Sequence, residues 1–251
     1  MTKHYIIMSS SYTDGTRVAL DITEARLLNS ESISKIIKDI QKSCDKDVPL
    51  SSHFIETESS SWESVAEYDP FFECVECTKT AEEFSKKIGK SRVLSGLDVA
   101  NYILSKIKRT HLSLEKLVYY AYAEYLCKYS EPLFDDTIYA FRHGPVISSV
   151  YEAFKKNGSR YIEPVDIKDD SDVSIRVKEM PARSRILFAK DGAQKLASID
   201  KTIEKYGRYS AGALVDLTHL DGSPWSHVDS TIPYQPISDD LIKTYHHIEC
   251  I

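Results

Sequence analysis

Cys74 and Cys77 form a C-x-x-C pair, whose residue type and spacing suit either metal binding or redox exchange. A structural zinc site needs four ligands, and the chain has no second C-x-x-C pair and no H-x₃-H pair. A thioredoxin-like pair begins a helix after a strand, whereas this pair lies in FFECVECT, which itself predicts a strand. His246 and His247 could join the cysteines in space, but we expect them in a frayed C-terminal segment. We therefore predict reduced cysteines, no metal site and no cofactor.

Motifs for catalysis are also missing. The sequence has no G-x-S-x-G elbow, no phosphate-binding loop, no G-x-G-x-x-G and no H-E-x-x-H. The adjacent carboxylates at 135–136 and 169–170 point in different directions, so neither pair is expected to act as a catalytic or metal-binding unit. Histidine titrates near neutrality, which leaves an enzyme using His143 or His219 as its acid–base group as an alternative. Our prediction is that the chain is not an enzyme.

The charge balance argues against nucleic acid as a partner. Lys and Arg total 32 against 38 Asp and Glu, a formal net charge of −6 over 251 residues. Binding to a phosphate backbone normally needs a basic face, and the short basic run at 106–111 is typical of the solvated end of a helix. The chain also lacks the roughly 18 uncharged apolar residues of a membrane helix and the pattern of a secretory signal. We expect a cytoplasmic protein that binds no membrane.

The first 90 residues predict a small mixed α/β domain. Asp14 and Gly15 are typical of a hairpin turn, and a run of isoleucines at helical spacing predicts a helix capped by Ser30 or Ser32. Thr80 is predicted to cap a second helix. β-prone runs indicate strands at residues 4–10, 16–22, 53–58 and 71–78. A polar segment near residues 89–95 breaks the pattern and marks a domain boundary.

From about Leu94 the apolar residues recur at helical spacing, so residues 94–251 predict a mainly helical domain. Pro145 suits the first position of a helix. Glu115 and Lys116 are placed on the far side of their helix or at its start. The runs VDIK and VSIRV predict a small inserted hairpin. The fold class predicted for the whole chain is α+β, and the predicted helices cover residues 96–109, 113–130, 145–158, 193–206 and 210–219.

Tyrosine is unusually frequent, with 16 residues in all, and five of them lie in the helix predicted from Ser113. Three share one stripe, while Tyr119 and Tyr120 spread around it. One interpretation is a thick core helix whose phenol groups form hydrogen bonds at the edges of the bundle. The other is a partner surface, because aromatic residues with a polar tip are enriched at binding hot spots.

Three segments of the second half together resemble the Panacea domain, the family of SocA-like antitoxins and phage-associated GepA-type proteins. They contain, in order, a K-L-x-Y-Y helix, an acidic-flanked link, G-P-V followed by V-Y, and a late T-H…S-P-W. One departure is His143, which introduces a titratable group where the family commonly has tyrosine. The resemblance covers residues 94–228 and leaves the first 90 outside it; its segments are 113–136, 137–154 and 214–228.

The resemblance implies a non-enzymatic protein-binding module, a type II antitoxin that neutralises a cognate toxin by direct binding without a cofactor. SocA-like members can instead deliver a toxin to a protease. The alternative is a phage- or prophage-encoded protein that binds and inhibits or redirects a host factor, with partner specificity supplied by the first 90 residues. An acidic antitoxin suits a basic toxin, because complementary potentials speed encounter.

Two sets of site residues are predicted. In the first, Arg142 and His143 specify the partner and Tyr151 anchors it; Tyr151 could instead cap the core edge with its hydroxyl in water. The partner-binding set is Arg142, His143, Tyr151, Tyr119 and Tyr120. In the second set, Trp225 packs against the Tyr119–Tyr125 helix as part of a lid, with direct partner contact as its alternative. The structural set is Gly144, Pro145, Thr218, His219, Pro224 and Trp225.

Overall fold

The computed structural model describes residues 1–13, 15–24, 27–44, 46–162, 182–229 and 231–251. Within these residues the chain forms two compact units, one ending at Val93 and the other beginning at Leu94. The predicted VDIK and VSIRV hairpin, the Asp169–Asp170 pair and Asp14 of the predicted turn lie outside the described residues. None of the described helices is both long and apolar enough to cross a membrane.

The first unit is a four-stranded sheet with helices on both faces. Its strands are β1 (Thr2–Ser11), β2 (Thr16–Ile22), β3 (Ser51–Thr57) and β4 (Val75–Thr78), in the order β3-β1-β2-β4. β1 is antiparallel to β2 and β3, and β4 is parallel to β2. Its helices are α1 (Ser30–Cys44), α2 (Trp62–Tyr68) and α3 (Ala81–Ser91).

Alternation along β1 explains why both faces of the sheet are covered. Successive strand residues point to opposite faces, so Ile6 and Ile7 enter different cores. Ile7 packs with apolar residues of α1 and α3, including Ile40 and Phe84. Ile6 packs with a second cluster that includes Val65 of α2.

Two local predictions in this unit need correction. The cap of α1 is Asn29, whose Oδ1 accepts a hydrogen bond from the Ser32 N–H at 2.9 Å, rather than Ser30 or Ser32. The strand predicted over residues 71–78 begins only at Val75, because Pro70–Phe72 forms a 3₁₀ turn capped by Asp69. The predicted cap at Thr80 is confirmed, since its side chain accepts from the Glu83 N–H at 3.1 Å.

The second unit is mainly helical, which confirms the predicted α+β class for the chain. Its short strands form two pairs, β5 (Arg109–Thr110) with β8 (Tyr161–Ile162) and β6 (Ile138–Phe141) with β7 (Gly144–Ile147). The helices are α4 (Gly96–Lys106), α5 (His111–Tyr129), α6 (Ser148–Phe154), α7 (Ala182–Leu187), α8 (Gly192–Tyr206), α9 (Ala211–Thr218) and α10 (Asp239–Tyr245).

Helix α5 lies at the centre of this unit and is buried on all sides. It contacts α4, α8, α9, α10 and β7, and every residue from Ser113 to Ala123 is buried. Glu115 is 2% exposed and Lys116 is 0% exposed, so their predicted placement away from the core is wrong. Helical periodicity assigns charged residues to solvent, but a helix surrounded by others has no solvent face.

Pro145 does not open a helix, which corrects the prediction made for it. It lies in β7 opposite Ala140, and α6 begins only at Ser148. The other edge of β6 hydrogen-bonds to the chain near residue 236, which leaves β7 at the edge of this small sheet. An edge strand tolerates proline, because the missing N–H is not needed by a further strand.

The predicted frayed C-terminal segment is also wrong. After α10, residues 246–248 form a 3₁₀ turn, His246 is 2% exposed and Glu249 is completely buried. Both side chains belong to the interior next to α5, where the Tyr119 hydroxyl donates to Glu249 Oε1. The segment therefore completes the core of the second unit.

Candidate functional site

The motif residues of the second unit converge on the turn between β6 and β7, whose two central residues are Arg142 and His143. The Trp225 indole N–H donates to the Phe141 carbonyl oxygen at 2.8 Å. His219 Nε2 forms a hydrogen bond with the Arg142 carbonyl oxygen at 3.2 Å, and the rings of His219 and Trp225 lie 3.8 Å apart between centroids. Two side chains from the T-H…S-P-W segment thus hold the turn backbone from one side.

Lys116 holds the same hairpin from inside the unit. Its ammonium donates to the Pro145 carbonyl oxygen at 2.7 Å. Complete burial lowers the pKa of Lys116 to about 7, and the neighbouring Glu115 only partly offsets this effect. Gly144, at φ +95°, lies against both Lys116 and Thr218; a Cβ there would stand 2.6 Å from Thr218 Oγ1 and 2.9 Å from Lys116 Cε. The contact requires glycine for both its conformation and its size.

Glu115 supplies the second buried anchor of β7. Its Oε2 accepts a hydrogen bond from the Ile147 N–H at 3.0 Å, and its Oε1 lies 3.4 Å from His111 Nε2. Sequence reasoning missed the role of both Glu115 and Lys116. The available signal was two charged residues in an apolar helix, because buried charges need polar partners.

The outer face of the turn carries exposed polar and aromatic side chains. Arg142 and His143 are exposed, and Tyr151 of α6 is half-buried. The Tyr151 ring lies 5.7 Å from the Phe141 ring, which lies 5.7 Å from the ring of Tyr234. Tyr234 is 64% exposed. We name Phe141, Arg142, His143, Tyr151 and Tyr234 the hairpin patch.

Tyr119 and Tyr120, which were predicted in the partner-binding set, do not contribute to a surface. Both are completely buried, so they are removed from the predicted patch. Tyr120 stacks on Tyr206 with centroids 4.2 Å apart and an interplanar angle of 15°. Tyr122 donates from its hydroxyl to Asp239 Oδ1 at 2.8 Å. The aromatic helix is a core element in which the hydroxyls of Tyr119 and Tyr122 are hydrogen-bonded.

The lid prediction for the late motif is modified by the structure. Trp225 is half-buried and packs against the core of the unit, but the ring contact described for it is His219 rather than a tyrosine of α5. Thr218 and Pro224 are buried, and the Ser223 hydroxyl donates to the Thr218 carbonyl oxygen at 2.7 Å. The loop is held closed on itself and then supports the hairpin through Trp225.

Cys74 and Cys77 differ in exposure, and Asp136 of the 135–136 pair binds the start of a helix. Cys74 is exposed at φ +57°, and burial raises the pKa of the half-buried Cys77 thiol to about 11. Asp136 accepts a hydrogen bond from the Gly96 N–H at 2.7 Å, at the start of α4. Across the described part of the chain, the one trio of closely spaced ligand atoms belongs to Glu124, His246 and Cys250 and includes neither Cys74 nor Cys77.

Comparison with known proteins matches part of the chain to a family. Residues 114–226 match the family described as antitoxin SocA-like, Panacea domain. Antitoxin SocA of Caulobacter vibrioides (strain NA1000 / CB15N) is 32% identical over 132 residues, which cover 51% of this chain and 66% of that protein, just under two thirds. No solved structure matches the chain significantly. Residues 114–226 are thus a SocA-like Panacea domain.

Proposed function

We propose that this chain is the antitoxin of a type II toxin–antitoxin pair and neutralises a protein toxin by binding it directly through the hairpin patch. The observation that carries the proposal is that the backbone of the β6–β7 turn is held by side chains of the unit while the side chains of the turn itself stay exposed. Lys116, His219 and Trp225 hold its backbone from inside, while Arg142 and His143 are exposed. Similarity to an antitoxin supports the identity of the partner as a toxin.

The chemistry of the patch suits protein recognition. Tyrosine and arginine are enriched among the residues that dominate binding energy, because they combine a large contact area with polar groups. A hairpin whose backbone is held by three side-chain hydrogen bonds has little conformational freedom left to lose on binding. In this proposal Arg142 and His143 select the partner and Tyr151 anchors it.

The enzyme alternative is weakened at His219. Its Nδ1 lies 2.7 Å from the Val215 carbonyl oxygen and its Nε2 is bonded to the Arg142 carbonyl oxygen. Backbone carbonyl oxygens face both ring nitrogens, and in either tautomer the ring N–H is donated to one of them rather than to a substrate. The phage-encoded host-factor alternative has no comparable finding in its favour.

The test is co-expression with each neighbouring gene, scored by rescue of growth, followed by purification of the complex. The double variant Arg142→Ala, Tyr151→Ala should lose both rescue and binding while its circular dichroism stays unchanged. The matched control is Arg208→Ala, Tyr209→Ala, which removes the same residue types from the connection between α8 and α9.

The control should rescue growth and bind the toxin as the unmodified chain does. Unimpaired binding by the folded Arg142→Ala, Tyr151→Ala variant would contradict the hairpin patch as the interface and assign it to another surface, the first unit being the next to test. Toxin accumulating in a stable complex supports direct neutralisation, whereas toxin that disappears on co-expression indicates delivery to a protease.

A further inference from the structure

A second polar cluster lies apart from the hairpin patch, where residues 246–250 contact α5 and α8. His246 Nδ1 forms a hydrogen bond with Glu249 Oε1 at 2.8 Å, and Tyr119 donates to the same carboxylate oxygen. The Cys250 thiol lies 3.3 Å from the His246 carbonyl oxygen. These contacts orient the imidazole and bring the thiol beside it.

The other imidazole nitrogen, His246 Nε2, is buried and has no hydrogen-bond partner among the described residues. Its side chain is only 3% exposed, and Nε2 lies 3.9 Å from Glu124 Oε1. The ligand atoms of Glu124, His246 and Cys250 all lie within 4.8 Å of one another. A buried polar atom without a partner is rare in folded proteins, and coordination to an ion is one way in which such an atom is satisfied.

The donor set matches a particular class of ion. Thiolate, imidazole and carboxylate are the three protein donors that Zn²⁺ uses, with a tetrahedral site completed by water. A histidine that binds metal through one nitrogen commonly donates from the other to a carboxylate, as His246 does to Glu249. We propose that Glu124, His246 and Cys250 form a binding site for a divalent transition metal ion of the Zn²⁺ class, with Glu249 as the positioning residue.

Charge and geometry are compatible with this assignment. The Cys250 thiolate and the Glu124 carboxylate together carry two negative charges, which balance a divalent ion. Binding releases two protons to solvent, one from the Cys250 thiol and one from Nε2 of the His246 imidazolium. Ligand bonds of about 2.0–2.3 Å put tetrahedral ligand atoms about 3.5 Å apart, so the trio has to contract by about 1 Å. Glu124 Oε1, the oxygen that lies 3.9 Å from His246 Nε2, accepts from Lys205 and Tyr206 at 2.6 and 2.9 Å, so the carboxylate has to rotate and turn Oε2 toward the ion.

The experiment uses the full chain, stripped with a chelator and titrated with Co²⁺ and Zn²⁺. We expect one ion per chain, a thiolate-to-cobalt charge-transfer band that Zn²⁺ abolishes, and a higher melting temperature with Zn²⁺. Cys250→Ser should remove the band, and it should not unfold the chain because Cys250 is exposed. Glu249→Gln should weaken Zn²⁺ affinity by about 10–100-fold, measured by competition with a chromophoric chelator.

Two variants serve as matched controls. Cys127→Ser removes another exposed cysteine from α5, and His247→Ala removes the exposed neighbour of His246. Both should keep the band and the affinity. Failure of the unmodified chain to bind one ion, or a band that survives Cys250→Ser, would overturn the site. None of these readouts involves a toxin, so the experiment tests the metal site independently of the proposed antitoxin function.

Discussion

Lys116→Met tests whether a buried amine holds the hairpin, because methionine keeps an unbranched side chain, one atom shorter, and removes the amine. Lys116 is completely buried, and its ammonium donates to the Pro145 carbonyl oxygen at 2.7 Å. Burial lowers the pKa of Lys116 from 10.5 to about 7 in the folded state. At pH below about 7 the folded chain therefore buries a charge, whereas above that pH the neutral amine keeps the hydrogen bond.

The sign of the pH dependence follows from proton binding. Between the folded pKa of about 7 and the unfolded value of 10.5, the unfolded state binds more protons, so the contribution of Lys116 to stability rises with pH. The slope from one such group approaches about 1.4 kcal/mol per pH unit. Below pH 7 the lysine is protonated in both states and its contribution is flat. In the alkaline range, losing the bond to Pro145 should cost about 1–3 kcal/mol.

Urea unfolding of the unmodified chain and of Lys116→Met, at several pH values between about 6 and 9.5, gives the free energy of unfolding of each protein. The value for the unmodified chain minus that for Lys116→Met should grow with pH above about 7. Other titrating groups contribute to both proteins and cancel in this difference. Lys190→Met, at a side chain 53% exposed, is the control and should show no such growth. A difference that is constant or falls with pH would refute a neutral buried lysine.

Two further predictions concern the same hairpin. Gly144→Ala should lower the free energy of unfolding by about 1–3 kcal/mol from backbone strain, and the clash with Thr218 should add to this loss. Gly158→Ala, also at positive φ but with nothing within 4 Å of its Cβ, should cost only the backbone strain of about 1–3 kcal/mol. Equal losses in the two variants would contradict the packing assigned to Gly144. Trp225→Phe keeps a ring but removes the indole donor to the hairpin, so we expect a loss of about 1 kcal/mol by urea unfolding, and an unchanged midpoint would show that this bond contributes nothing.

The sequence predicts best the structures that are decided within a few residues. Thr80 is confirmed as a helix cap, because its side chain accepts a hydrogen bond from the backbone N–H three positions later. The wrong assignments at Glu115 and Lys116 concern residues whose hydrogen-bond partners are distant in sequence. Their backbone partners are 32 and 29 residues away in sequence, at Ile147 and Pro145. Periodicity contains no information about such a partner.

The candidate site was predictable in part for the same reason. Arg142 and His143 lie in a turn, where side chains are exposed, and this much follows from the local pattern. Tyr119 and Tyr120 were misplaced because their surroundings are set by Tyr206 and His246, which follow far along the chain. Tyr234 could not be assigned to the hairpin patch from the sequence, since only the fold brings its ring to Phe141.

The bond between Tyr119 and Glu249 joins residues 130 positions apart, which has a consequence for synthesis on the ribosome. At about 5–20 residues per second, roughly 6 to 26 s pass between the two residues entering the growing chain. During that interval the central helix has been made, but the segment that covers its tyrosines has not. A nascent second unit therefore carries an open aromatic surface until its last turn arrives, and the order of translation sets the time at which its core can close.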